Sequence, residues 1–184
     1  MDKNIVQTVY STLEEATKDL TPTRDELEAL EGEIRSGRYS SHVMQHEIYP
    51  KRDALKSTLQ GKRDAAISKA HALVAQYRQD AAELDNLDPA DLTDDIKLFQ
   101  SGIVLLSRDI EAVLKRNAGN RTMTQIALRY AKEHDIDMKG TFYIGGEAER
   151  QNADNLDTLI RYYERWIDKE NALQMLDAFF HPQQ

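Results

Sequence analysis

The sequence contains no cysteine, and this absence excludes several kinds of chemistry at once. Without thiols there are no disulfides, thiolate metal sites, iron–sulfur clusters or cysteine nucleophiles. A metal ion would need histidine and carboxylate ligands. Glycine and proline are also scarce, with 8 Gly and 4 Pro in 184 residues, so few residues interrupt regular structure. The length is typical of one domain.

Long apolar runs and an excess of basic charge are missing as well. No stretch approaches the roughly 18 apolar residues of a membrane span, and the N-terminus lacks the pattern of a signal peptide. We therefore expect a cytoplasmic protein with no membrane partner. The formal charge of −8 disfavours nucleic-acid binding, because phosphate contacts require clustered Lys and Arg.

What the sequence does have is a helical repeat of apolar residues, which recur at steps of three and four almost throughout. The first stripe is interrupted at Pro22, where Thr23 could cap a second helix with Glu26. We expect a kink or short break at Pro50, followed by a helix about 50 Å long. The pattern predicts an all-α fold, with a long helical hairpin or coiled-coil-like arm and a compact bundle of shorter helices.

We divide this fold at the aspartate-rich connector. Residues 1–86 form the predicted arm region, with a long helix over 51–86. Residues 87–184 form the predicted bundle, with an irregular loop over 138–149 and a C-terminal helix over 152–180.

The long helix has an alanine-rich face that a second helix can approach closely. This face predicts helix-mediated contact, with a second copy as the simplest partner. An exposed aromatic on the C-terminal helix could add to the contact surface. The residues predicted to interact are Leu55, Leu59, Ala66, Leu73, Tyr77 and Tyr162.

His42 and His46 are the only residues whose spacing suggests a metal site. Residues four apart on a helix can direct both imidazoles to the same side, as in a two-histidine clamp. The order differs from that of a zinc protease, and no third ligand is obvious. We therefore predict no metal site, no cofactor and no catalytic residue.

Five aspartates and no basic residue occur between positions 85 and 95. Helix capping and placement at a helix N-terminus would explain most of them. The alternative is an acidic docking face. The aspartates concerned are Asp85, Asp88, Asp91, Asp94 and Asp95.

Residues 86–133 resemble small helical proteins of phages and prophages of Gram-positive bacteria whose genes lie near head and capsid genes. The resemblance rests on Asp88-Pro89-Ala90-Asp91, Leu98 to Gly102, Asp109, Leu114, Asn120-Arg121-Thr122-Met123 through Ile126, and Arg129-Tyr130-Ala131. It implies a structural or assembly role in the bacterial cytoplasm or on the virion.

We therefore expect a non-enzymatic scaffold, capsid-associated factor or head accessory protein that contacts itself or a phage structural protein. The alternative is an acidic anti-defence inhibitor that binds a host nucleoprotein or RNA-guided nuclease by mimicking nucleic acid. Two weaker hypotheses remain. One is a histidine–carboxylate metalloenzyme. The other is a helix-turn-helix DNA-binding protein, whose second helix offers only Arg121, Arg129 and Lys132 as basic residues.

Overall fold

The computed structural model describes residues 3–139 and 143–180. Over these residues it contains seven helices, one short 3-10 turn at Pro89–Asp91 and no strand, which confirms the all-α class. The helices are α1 (Lys3–Arg35), α2 (Ser41–Val43, a π-helical turn at Met44–Ile48, then Tyr49–Glu83), α3 (Ile96–Gln100), α4 (Ser107–Arg116), α5 (Arg121–Glu133), α6 (Glu147–Tyr163) and α7 (Ala172–Phe180).

Residue contacts divide the chain into two compact units. The first contains residues 1–76 and 153–184, and the second contains residues 77–152. This division differs from the predicted boundary at residue 86, because α7 packs against α1 in the first unit. The rings of Tyr10 and Phe180 meet edge to face there, with centroids 6.1 Å apart.

The first unit contains the predicted hairpin, and its two long helices belong to the same chain. Three ion pairs join α1 to α2. They are Glu26–Lys51 at 2.9 Å, Glu31–Lys56 at 2.8 Å and Asp19–Lys62 at 3.0 Å. These pairs are largely exposed, so they contribute little stability. The buried apolar residues do more, and they come from α1, α2, α6 and α7.

Pro22 does not interrupt α1, contrary to the prediction, and Thr23 is not a helix cap. The proline removes one backbone donor but leaves the apolar face intact. Leu20 and Leu30, which flank it, are 2% and 6% exposed. Burial on both sides of Pro22 therefore outweighs the lost hydrogen bond.

The predicted break at Pro50 is instead a local change of helical pitch. The N–H of Tyr49 donates to the carbonyl of Met44, five residues back, so the turn before Pro50 is a π-helical turn. Proline has no N–H to donate, and a π turn is a common way for a helix to absorb such an irregularity. Helix α2 then continues to Glu83, and not to residue 86 as predicted.

The predicted C-terminal helix over 152–180 is two helices. Helix α6 begins earlier, at Glu147, and turns after Tyr163 separate it from α7. Consequently the predicted loop over 138–149 ends at residue 146. Residues 138, 139 and 143–146 are neither helix nor strand, and positions 140–142 lie outside the described residues.

The second unit has a small core between α4 and α5. Its buried members are Leu105, Ile110, Val113, Met123, Ala127 and Ala131. Ile96 and Phe99 of α3 are partly buried against this cluster. The apolar steps of three and four predicted these helix faces, and the core confirms the bundle of short helices.

The buried hydroxyl of Tyr163 leads to a test of the first unit. Its Oη lies 2.7 Å from Oγ1 of Thr17, and burial raises the pKa of Tyr163 to about 12. We expect Tyr163→Phe to lower the free energy of unfolding by about 1 kcal/mol, because Thr17 still donates to the Leu13 carbonyl and is not left unsatisfied. Urea unfolding at neutral pH measures the change.

Tyr162→Phe is the matched control, since the neighbouring side chain is 54% exposed. Its unfolding midpoint should equal that of the unmodified chain. Equal effects of the two substitutions would contradict the assigned role of the Thr17–Tyr163 bond.

Candidate functional site

The end of α2 is capped by side chains from another helix. The last carbonyls of a helix have no partner within the helix. Residues 121, 125 and 129 are four apart on α5 and so share one face. They donate to carbonyls at and just after the end of α2: Arg121 Nη2 to Glu83 O at 3.0 Å and to Asn86 O at 3.2 Å, Gln125 Nε2 to Leu84 O at 2.5 Å, and Arg129 Nη2 to Asp85 O at 3.3 Å.

This capping argues against the helix-turn-helix hypothesis. The guanidinium groups of Arg121 and Arg129 contact carbonyls of their own chain, where the end of a helix favours positive charge. Lys132 Nζ lies 3.3 Å from a carboxylate oxygen of Glu147. All three basic residues that this hypothesis needed are therefore engaged within the second unit.

Asp85 ties the loop before α6 to the end of α2. Its carboxylate lies 2.6 Å from Nη1 of Arg150 and accepts the N–H of Gly146 at 3.0 Å. The Arg150 guanidinium and the Gly146 N–H together lower the pKa of Asp85. Glycine is required at position 146, since a Cβ there would meet the Ala81 carbonyl oxygen at 2.0 Å. Gly145, with a φ of +58°, adopts a conformation that side chains disfavour.

The other four aspartates of the predicted acidic face also have partners within the same unit. Asp88 caps the 3-10 turn by accepting the N–H of Ala90 at 2.8 Å. The Asp91 carboxylate accepts the Thr122 hydroxyl at 3.5 Å, and the exposed Asp94 pairs with Lys97 at 2.5 Å. Asp95 accepts Arg116 at 2.7 Å and Asn117 at 2.7 Å, and the Arg116 guanidinium lowers the pKa of Asp95. The capping interpretation thus explains more of the cluster than an acidic docking face does.

A cavity of about 320 Å³ lies beside Asp85, and it is lined by charges of both signs. Its cations are already engaged. Arg150 pairs with Asp85, Lys132 pairs with Glu147, and Arg129 donates to a backbone carbonyl. Each of these cations therefore already has a partner within the second unit.

His42 and His46 lie close together, as their spacing predicts, with ring centroids 4.5 Å apart. Both residues are exposed. Across residues 3–139 and 143–180, no group of three or more potential metal ligands is found. The pair therefore has no third protein ligand in the described part of the chain.

The residues predicted to contact a partner along the long helix are mostly turned towards the chain itself. Ala66 is only 7% exposed, so it belongs to the core of the first unit and cannot form part of a partner surface. Leu55, Leu59, Leu73 and Tyr77 are partly buried. Tyr162 is 54% exposed and stacks on Phe179 with centroids 6.5 Å apart. The residues predicted along the long helix did not include Val74, which is fully buried.

The two most exposed large apolar side chains of the described residues, Ile103 and Val104, lie between α3 and α4. We call residues 103–106 the apolar strand, although they form no β-strand in the structure. Ile103, Val104 and Leu106 are 67%, 71% and 53% exposed. Leu98 on α3 is 38% exposed. Only Leu105 turns inward, where it joins the core cluster. Single exposed apolar residues are ordinary, but three within four residues form a patch.

Tyr130 of α5 holds the inner edge of the apolar strand. Its hydroxyl donates to the Ile103 carbonyl at 3.1 Å and accepts the Leu105 N–H at 3.3 Å. The ring is fixed by Phe99, with centroids 5.3 Å apart, and by stacking on His134 at 4.0 Å. Residues 103–106 form an unbroken apolar run that is visible in the sequence. The sequence alone does not show which of these side chains face outward.

Comparisons with known proteins give no relative: no protein-family model, no curated protein and no solved structure matches this sequence. In the part of the chain that the structure describes, no helix is both long enough and apolar enough to span a membrane.

The role of Asp85 predicts a pH-dependent stability. Its pKa is lowered from 3.8 in the folded protein, so its stabilisation is present above that value and is lost as the pH falls through the folded pKa. We expect Asp85→Asn to lower the melting temperature at pH 7. The difference from the unmodified chain should shrink as the pH falls below the ordinary pKa. Thermal unfolding followed by circular dichroism measures both.

Asp94→Asn is the matched control, because that side chain is 92% exposed and its ion pair with Lys97 is solvated. It should leave the melting temperature nearly unchanged at every pH. A melting-temperature difference for Asp85→Asn that stayed constant with pH would contradict the assigned charge interaction.

Proposed function

We propose that this protein is a non-enzymatic structural or assembly protein of a phage or prophage, acting through protein–protein contacts. Its role would be that of a scaffold, a capsid-associated factor or a head accessory protein, in the bacterial cytoplasm or on the virion. The observation that carries the proposal is the apolar strand, in which Ile103, Val104 and Leu106 are each more than half exposed.

The apolar strand is suited to contact because the chain fixes its inner edge and leaves three of its side chains exposed. Tyr130 bonds its inner edge, and Gly102, with a φ of +72°, begins it at a turn. Covering one large apolar side chain contributes about 1.5–3 kcal/mol to association. Folding of the described chain leaves these side chains exposed, so their burial by a partner would contribute favourable free energy to binding.

The resemblance to phage and prophage proteins provides separate support. It covers residues 86–133, and this range includes both the apolar strand and Tyr130. The simplest partners are a second copy of the chain and a phage structural protein. Neither partner requires a cofactor or a catalytic group.

The acidic-inhibitor alternative receives less support from the structure. A mimic of nucleic acid needs carboxylates that remain available to a basic groove. Asp85 and Asp95 pair with Arg150 and Arg116, and Asp94 pairs with Lys97. The local negative charge is therefore reduced by cations of the same unit. We prefer the assembly role for this reason.

Removing the apolar side chains provides the test. The variant Ile103→Ser with Val104→Ser should lose association with head-assembly intermediates purified from the bacterium that encodes the chain. We expect at least a ten-fold lower affinity, since two apolar side chains are lost from the contact. Sedimentation of labelled protein through a gradient with these particles measures binding.

The control variant is Leu87→Ser with Leu92→Ser, because these leucines are 40% and 44% exposed outside the strand. It should sediment with the particles as the unmodified chain does. Failure of the unmodified chain to bind any head intermediate would contradict the proposed function. Equal loss in both variants would contradict the role of the strand.

A further inference from the structure

We propose that His42 and His46 form a two-histidine chelate for one divalent transition-metal ion of tetragonal geometry, Cu²⁺ or Ni²⁺, with water in the remaining coordination positions. Both residues lie on the turns that begin α2, in the first unit. The inference is independent of the proposed function, because that function rests on residues 103–106 of the second unit. It assigns a binding site and not a reaction.

The two rings are already separated by the distance that a shared metal ion requires. A ligating nitrogen lies about 2.0–2.1 Å from the metal, so the ring centre, about 1.1 Å beyond the nitrogen, lies about 3.2 Å from it. Two such rings at about 90° have centres about 4.5 Å apart, whereas at the tetrahedral angle this separation is about 5.2 Å. The ring centres of His42 and His46 are 4.5 Å apart. The spacing therefore fits neighbouring positions of a tetragonal ion.

Ring rotation is sufficient to direct one nitrogen of each histidine at the same ion. The planes of the two rings are inclined by 43°. Rotation about the Cβ–Cγ bond turns a histidine ring about an axis through its own centre, so it leaves the distance between the two centres unchanged. This torsion is broad in histidine. The site can therefore be completed without movement of the backbone.

The nitrogens of both imidazoles are available to a metal ion. Both side chains are exposed, and within residues 3–139 and 143–180 neither ring takes part in a hydrogen bond or an ion pair. Two other histidines differ in this respect. Nδ1 of His71 lies 2.9 Å from a carboxylate oxygen of Asp157, and His134 stacks on an aromatic ring in the second unit.

The turns that carry the pair are fixed at both ends. The Ser40 hydroxyl accepts a backbone N–H of the first turn at 3.4 Å, as a helix N-cap does. Ile48, at the other end, is 9% exposed. The π-helical turn between them winds more residues into each turn than the roughly 3.6 of an α-helix. A step of four residues exceeds one α-helical turn, so the π turn brings His46 more nearly into line with His42 along the helix axis.

A third protein ligand is not required for this kind of site, although its absence led to the prediction of no metal site. Tetragonal Cu²⁺ and Ni²⁺ accept mixed nitrogen and oxygen ligands, and water supplies the oxygens. Cu²⁺ stands above Ni²⁺ and Zn²⁺ in the general order of affinities, so we expect it to bind most tightly. Mg²⁺ and Ca²⁺ prefer oxygen ligands and should not compete.

Calorimetric titration of the untagged full chain with Cu²⁺, in the presence of a weak competing chelator, tests the proposal. The unmodified chain should bind one ion more tightly than any other. His42→Ala and His46→Ala should each weaken that binding at least ten-fold, since loss of a mere second-shell partner already costs roughly 10–100-fold. His134→Ala is the matched control, because this histidine is also exposed but has no histidine within four residues. It should leave the affinity unchanged.

The double variant distinguishes one shared ion from two separate sites. If both histidines hold the same ion, either single substitution removes the chelate, and the double variant should bind only slightly more weakly than the single ones. Two weakly bound ions, one of which is lost with each histidine, would overturn the proposal. An affinity that either single substitution leaves unchanged would overturn it as well. Circular dichroism without metal should give the same melting temperature for every chain, because both side chains are exposed.

Electron paramagnetic resonance of the Cu²⁺ complex identifies the ligands without relying on affinity. The unmodified chain should give a tetragonal spectrum with coupling to two imidazole nitrogens, and His46→Ala should give coupling to one. A spectrum of the unmodified chain with a single imidazole would contradict the chelate. Tighter binding of Zn²⁺ than of Cu²⁺ in the calorimetric titration would contradict the assigned geometry.

Discussion

The second unit is built around the need to satisfy the carbonyls that follow α2. A helix end leaves these groups without partners, and α5 supplies Arg121, Gln125 and Arg129 from one face. Another face of α5 contributes Met123, Ala127 and Ala131 to the core. The same helix carries Tyr130, which bonds the apolar strand. One helix therefore caps α2, packs the core and positions the contact surface.

Much of the negative charge between positions 85 and 95 is paired within the second unit. The carboxylates of Asp85 and Asp95 are fixed by arginines, and the Asp88 carboxylate caps the 3-10 turn by accepting the N–H of Ala90. These carboxylates order the connector that leads from α2 to the short helices. Among the described residues, the two most exposed large apolar side chains, Ile103 and Val104, lie in the apolar strand. This contrast is why a contact protein is a better account than a charge mimic.

The local features of the fold could be predicted from the sequence, and the long-range ones could not. Apolar steps of three and four are a local property, so they predicted the helical fold and the α4–α5 core but not the bounds of α1, α6 and α7. Helix α1 continues through Pro22 because Leu20 and Leu30 are buried on either side of it. Local sequence patterns do not show that burial. Glycine is needed at position 146 because the Ala81 carbonyl lies against it, and these two residues are far apart in the sequence. The outward turn of Val104 depends on Tyr130, so the apolar run alone could not identify a contact surface.

The central claim is that the exposed apolar side chains of residues 103–106 are used for contact with a partner. Amide exchange of the nitrogen-15-labelled protein, followed by NMR with and without head-assembly intermediates, tests it most directly. The account predicts that exchange at Val104 slows when the intermediates are present. Exchange at Leu106, whose N–H donates to Asp109, should stay constant. Val104 exchange that the intermediates leave unchanged would contradict the account.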